Sequence, residues 1–168
     1  MIVVGLCQGV QPILGYNYGA GHMTRLRKAF WMAAVIGTCV TSIGAFFSIF
    51  FPDLIARAFT VDSELIAATA NGLHISTVMF WAVGFQIIST TLFQSIGMAG
   101  KSIFLSLIRQ VIFLIPLLLT LPKHFGLNGV WASFPSSDLA ATVVTLIMVF
   151  YQLHKLRRHV PPRPASYQ

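Results

Sequence analysis

The sequence predicts an all-α integral membrane protein, a polytopic bundle of about five transmembrane helices, and three observations predict it. The chain is 56% hydrophobic and only 9% charged, with a mean hydropathy of +0.79, whereas soluble domains carry roughly a quarter charged residues. Long runs contain no Asp, Glu, Lys or Arg, and a chain of 168 residues has too little interior to bury such runs from every side in water. The basic residues fall between these runs and favour alternate connections.

A span needs about 20 apolar residues. Residues 1–20 are rich in glycine but long enough for a first span or its latter half. Met1 leads straight into IVVGLC, with no basic n-region or small-residue cleavage site. No signal peptide is therefore expected, and Met1 need not be the initiating residue. The second span is read at about 29–51, an uncharged run stopped by Pro52-Asp53. The third is placed at 73–95, preceded by helix that starts at the Asp62/Ser63 cap. The fourth, 103–121, contains Arg109 near one end and Pro116 inside, and the fifth covers 127–152. Residues 154–168, ending PPRPASYQ, read as a basic disordered tail.

With five spans, the first and third connections and the tail lie on one side. They collect Arg25, Arg27, Lys28, Lys101, Arg109, Lys155, Arg157, Arg158 and Arg163, nine of the eleven basic residues. The positive-inside rule makes that side cytoplasmic. This scattered placement, rather than a single basic face, argues against nucleic acid as the partner of the +7 net charge. Cys7 and Cys39 sit inside apolar runs and indicate neither a disulfide framework nor a metal cluster. In the second span Ala33, Gly37, Thr41 and Ala45 recur every fourth residue, a small-residue seam suited to close helix packing.

Polar side chains at membrane depth face a bundle interior or a wet cavity, because lipid cannot satisfy them. The stretch QGVQPILGYNYGAG (8–21) concentrates them, and Gln8, Gln11, Tyr16 and Asn17 are its candidate cavity-lining residues. Interhelical hydrogen bonding is the equal alternative for Gln8 and Gln11. Pro12 removes a backbone donor, and Gly5, Gly9, Gly15 and Gly19 form two GxxxG pairs that permit bending or close approach. Pro12, Gly15, Gly19, Pro116 and Pro135 are candidate hinges.

Gln86 and Gln94, eight residues apart, share roughly one helix face. Phe80, Trp81, Phe85 and Phe93 nearby would suit flat organic cations, or would simply pack. Asp138, in FPSSDLAA, is the one acid within a span. It is a candidate for binding a coupling ion in one conformation and releasing it in another, or a static group satisfied by Ser136 and Ser137. Arg109 could pair with an acid on a partner helix, but snorkelling to the headgroups accounts for it more simply. Neither G-x-S-x-G, HExxH nor a Walker A motif is present, so no enzyme, cofactor or metal site is expected.

These residues carry a resemblance. QGVQPILGYNYGAG followed by Arg25, then FQSIGMAGKS, then LIRQVIFLIPLLLTLPKHFGLNGVWASFPSSD resemble successive landmarks of the multidrug and toxic compound extrusion (MATE) family, in its bacterial drug-efflux branch. The likeness covers about residues 2–153. It implies two six-helix lobes around a central cavity, with this chain supplying the eighth to twelfth helices of the C-terminal lobe. It further implies antiport of organic cations or drugs against H+ or Na+, in a bacterial inner membrane, with the tail cytoplasmic. The N-terminal lobe and seventh helix of that architecture lie outside this sequence. So do the acids that carry proton coupling in many members, and the tenth-helix acid of sodium-coupled members has no counterpart here. Alternating access moves one bundle against another, so this chain by itself is not expected to transport. A lipid-linked sugar flippase of the same superfamily and a non-transporting helical subunit remain the other readings.

Overall fold

Helix α1 (Ile2–Gly19) carries Pro12 inside an unbroken run, and the chain turns at Ala20–Gly21 into α2 (Met23–Phe50). Pro12 has no N–H, so the Gln8 carbonyl one turn earlier loses its partner within the helix. Pro52 occupies the first turn of a short α3 (Pro52–Arg57), where a missing N–H costs nothing. The expected cap forms: Asp62 precedes α4 (Ser63–Ser76), and its Oδ1 accepts from the Glu64 N–H at 3.0 Å. The structure, a computed structural model, describes residues 1–158.

The run expected as one span over 73–95 is divided. α4 stops at Ser76, α5 (Phe80–Ser95) starts afresh, and the two are bent by 56°. Ser76 Oγ donates to the Gly72 carbonyl at 2.7 Å and Thr77 Oγ1 to the Leu73 carbonyl at 2.6 Å. Two successive hydroxyls thus compete for the carbonyls of the last turn of α4, the local bonding that bends or ends helices.

After α5 comes α6 (Ala99–Leu107), which continues as a π-helical segment Ile108–Leu114 into α7 (Ile115–Arg158). The wider segment ends just before Pro116, whose ring would crowd the Ile112 carbonyl in a regular α-helix. α7 is two helices joined at Gly126, where φ 56° and ψ −136° are open only to glycine. The chain reverses there. In one straight helix Arg109 and Asp138 would stand about 44 Å apart, yet they are bonded at 2.7 Å. A Cβ on Gly129 would collide with the Leu121 backbone across the turn. The two arms therefore form a helical hairpin.

By length and composition α2 and the run Ala99–Leu156 can cross a membrane, and α4 with α5 makes a third candidate as one broken span. α7 runs on as helix to Arg158 rather than giving way to a tail at 154, because Leu153 and Leu156 are buried against the bundle core. Residues 159–168, the rest of the expected tail, lie outside the described residues.

α2 and α5 pack most closely. Ala33, Gly37, Thr41 and Ala45 are all buried, and a Cβ on Gly84 would strike the Gly37 carbonyl. Thr41 Oγ1 lies 3.2 Å from the Trp81 carbonyl of the facing helix. The small-residue seam is thus a packing surface. Leu14, Leu26, Phe30, Leu92, Phe93 and Val149 close the core, while Met32, Ile36, Ile43 and Phe50 form an exposed apolar outer face of α2 suited to hydrocarbon.

Candidate functional site

The polar residues that meet inside the bundle come from α5, the π segment and the second arm of α7. Arg109, the second residue of the π segment, donates from Nε to Asp138 Oδ1 at 2.7 Å, the one ion pair among the described residues. The Asp138 side chain is 6% exposed and that of Arg109 is 33% exposed. Snorkelling, the simpler expectation for Arg109, is therefore overturned: its guanidinium turns inward because a buried carboxylate lies across the hairpin. Nor do the neighbouring serines satisfy Asp138. Ser136 Oγ donates to the Ala132 carbonyl and Ser137 Oγ to that of Phe134.

A second set of bonds ties this pair to α5. The buried Gln86 donates from Nε2 to Thr142 Oγ1 at 2.7 Å and to the Asp138 carbonyl at 3.0 Å, and Thr142 Oγ1 donates to that same carbonyl at 2.6 Å. Beside these groups lies a cavity of about 280 Å³. Gln86, Thr90, Thr91 and Gln94 of α5 form one wall, Ser106, Arg109 and Gln110 another, and α1 contributes only Val4 and Cys7. Gln94, Ser106 and Gln110 are exposed and mark its mouth. Among the described residues no three His, Cys, Asp or Glu side chains gather as a metal site. The converging groups suit hydrogen bonding and ion pairing.

The other candidates lie elsewhere. Gln8, Gln11 and Tyr16 are exposed on α1 and are not among the residues that line this cavity. Asn17 Nδ2 donates at 2.8 Å to the Ile13 carbonyl of its own helix. Gly5, Gly9 and Gly19 have open space where a Cβ would stand, so the Gly5/Gly9 pair closes on no described helix, while Gly15 of the second pair closes on the Ser95 carbonyl of α5. The aromatic stripe does not line the cavity: Phe93 is fully buried, Phe85 stacks on Trp31 with centroids 6.4 Å apart, and Phe80 and Trp81 face outward. Pro116 follows the π segment, and Pro135 sits one turn before Asp138. Thr90, Thr91, Thr142 and Thr145 carry no signal in the sequence that separates them from the other hydroxyls. Arg109 did carry one, as a base within a span facing a single acid within a span.

Long apolar helices, lipid-compatible outer faces and an ion pair enclosed beside a polar cavity define a multi-pass helical membrane protein with a site inside the bundle. Its relatives specify which. The MatE family profile matches residues 1–120, so the chain belongs to that family. The multidrug export protein MepA of Staphylococcus aureus (strain NCTC 8325 / PS 47) is 30% identical over 152 residues, covering 88% of this chain and 33% of the relative. Among solved structures, a ligand complex of the MATE multidrug transporter DinF-BH is 38% identical with a TM-score of 0.83, covering 89% of this chain and 33% of that one. The outward-facing conformation of a multidrug resistance MATE family transporter of the MOP superfamily superposes with a TM-score of 0.87 at 20% identity, over 94% of this chain and 36% of that one. The chain spans about a third of the length of the curated relatives it matches.

Proposed function

We propose that this chain is part of the C-terminal lobe of a multidrug exporter of the bacterial inner membrane, which expels small organic cations or drugs in exchange for H+ or Na+. The observation that carries the reading is the Arg109–Asp138 pair beside the polar cavity, in a chain related to multidrug export proteins. A proton or Na+ reaching Asp138 competes with Arg109 for the same carboxylate. Binding of either frees the guanidinium, and its loss restores the pair, so one ion can bias two arrangements of the hairpin. Gln86 and Thr142 hold the Asp138 backbone in place during the exchange, and Gln94 hydrates the mouth of the cavity. The exposed amides of α1, Gln8 and Gln11, line the pathway that this lobe forms with the N-terminal lobe.

The test is ethidium accumulation in cells stripped of their own exporters, with the chain carried in a full-length transporter. Lower accumulation that rises again when the ion gradient is collapsed supports the reading. Unchanged accumulation refutes it in favour of a flippase or a non-transporting subunit. Asp138→Asn is expected to abolish the gradient-dependent part.

A further inference from the structure

At the opposite end of the bundle from Asp53, Asp62 and Glu64, two helices present the same pattern side by side. On α2, Arg27 and Trp31 are four residues apart, and on α7, Phe150 and His154 are four apart, so each pair shares a helix face. The Trp31 and Phe150 rings meet with centroids 6.1 Å apart. Arg27, Trp31, Phe150, Leu153 and His154 line a groove of about 360 Å³. Arg27 also lines the adjoining hollow of about 460 Å³, which holds His22 and Arg25. The polar residue of each pair lies nearer the helix end, and the aromatic lies about one turn, roughly 5 Å, deeper.

This chain places no acid at this end. The chain contains four acidic residues: three lie beyond the far end of α2, and Asp138 is engaged by Arg109. No side-chain carboxylate of this chain therefore neutralises Arg25, Arg27 or Lys28. A phosphate oxygen would, and the groove has the vertical order of a phospholipid, with cation and N–H donor at headgroup depth and aromatic rings at the level of the upper acyl chain. Trp31 is 37% and Phe150 56% exposed, so this apolar floor is open at the surface of the chain, as an acyl chain requires, instead of closing around a small anion.

We infer that the groove between α2 and the end of α7 is a binding site for the phosphate headgroup of an anionic phospholipid, with Arg27 and His154 holding the phosphate and Trp31 and Phe150 the proximal acyl chain. The site lies outside the cavity described above and does not depend on which solute the protein moves, so a failed efflux assay leaves it standing, and the reverse.

The experiment places Trp31 as sole reporter, in a Trp81→Phe/Trp131→Phe background of the 168-residue chain, in bilayers containing brominated phosphatidylglycerol or brominated phosphatidylcholine. Trp31 should be quenched at lower mole fractions of the anionic lipid. Arg27→Gln should raise the half-quenching fraction of phosphatidylglycerol about fivefold, while Lys28→Gln, the same charge change one residue off the groove, moves it less than about twofold. Native mass spectrometry of the unsubstituted chain should retain phosphatidylglycerol over phosphatidylcholine, a reading independent of the tryptophan replacements. Equal quenching by the two lipids, equal effects of the two charge variants, or displacement of the lipid by millimolar inorganic phosphate would each overturn the assignment. The first two outcomes leave only diffuse surface charge, and the third leaves a free phosphate site.

Discussion

Helix α1 and the hairpin of α6, the π segment and α7 handle polar residues in opposite ways. α1 has the denser supply, with Gln8, Gln11, Tyr16 and Asn17 within ten residues, yet its one side-chain hydrogen bond runs from Asn17 to its own backbone. The hairpin has two charged residues at depth, and they bond across the turn and through Gln86 and Thr142 to a third helix. Desolvation accounts for the difference. An amide open to water loses little by having no protein partner, whereas a carboxylate that is 6% exposed is stable as an ion only with a counter-charge. Sequence density of polar residues therefore marks a face, and burial marks a site.

Substitutions test this contrast. Asp138→Ala, which leaves Arg109 inward and unpaired, should cost about 3–5 kcal/mol of folding free energy, measured by equilibrium unfolding in detergent micelles. Adding Arg109→Met should recover much of that loss, because the double change removes the stranded charge. Gly84→Ala, forcing a methyl into the Gly37 backbone, should cost about 1–3 kcal/mol in the same measurement. Gly9→Ala, with open space around it, should instead stabilise α1 by about 0.5–1 kcal/mol. Gln86→Leu should cost about 1 kcal/mol, the scale of one interhelical bond within a membrane. Gln8→Ala and Gln11→Ala should stay within about 0.5 kcal/mol. Their effect belongs in efflux by the full-length transporter, and wild-type efflux in both would remove α1 from the pathway.

Much of this architecture could be read from residue order. The uncharged runs locate the apolar helices, Asp62 marks a helix start, and the four-residue spacing from Ala33 to Ala45 marks the packing face of α2, though not its partner α5, because each of these signals is local. The interruption at 77–79 was not readable. Ser76 and Thr77 look like any other hydroxyls until their bonds to Gly72 and Leu73 are seen, and no proline or glycine marks the bend. The π segment was equally hidden, since Pro116 predicts a disturbance upstream but not its form. For the site, Gln86, Gln94 and Asp138 stood out as polar groups at depth. Their threonine partners did not, because bonding across helices depends on which faces the hairpin brings together.

The reversal at Gly126 also bears on how the protein is made. A translocon handles segments in the order of their synthesis, and a lone ionised side chain released into hydrocarbon would tend to slip back toward water. Because Arg109 and Asp138 sit on consecutive segments joined by one glycine turn, acid and base can leave together as a neutral unit. Any other residue at 126 would be strained at this φ and ψ and would oppose the reversal that brings them together, so its first symptom should be poor insertion and turnover by quality-control proteases rather than a folded protein with altered activity.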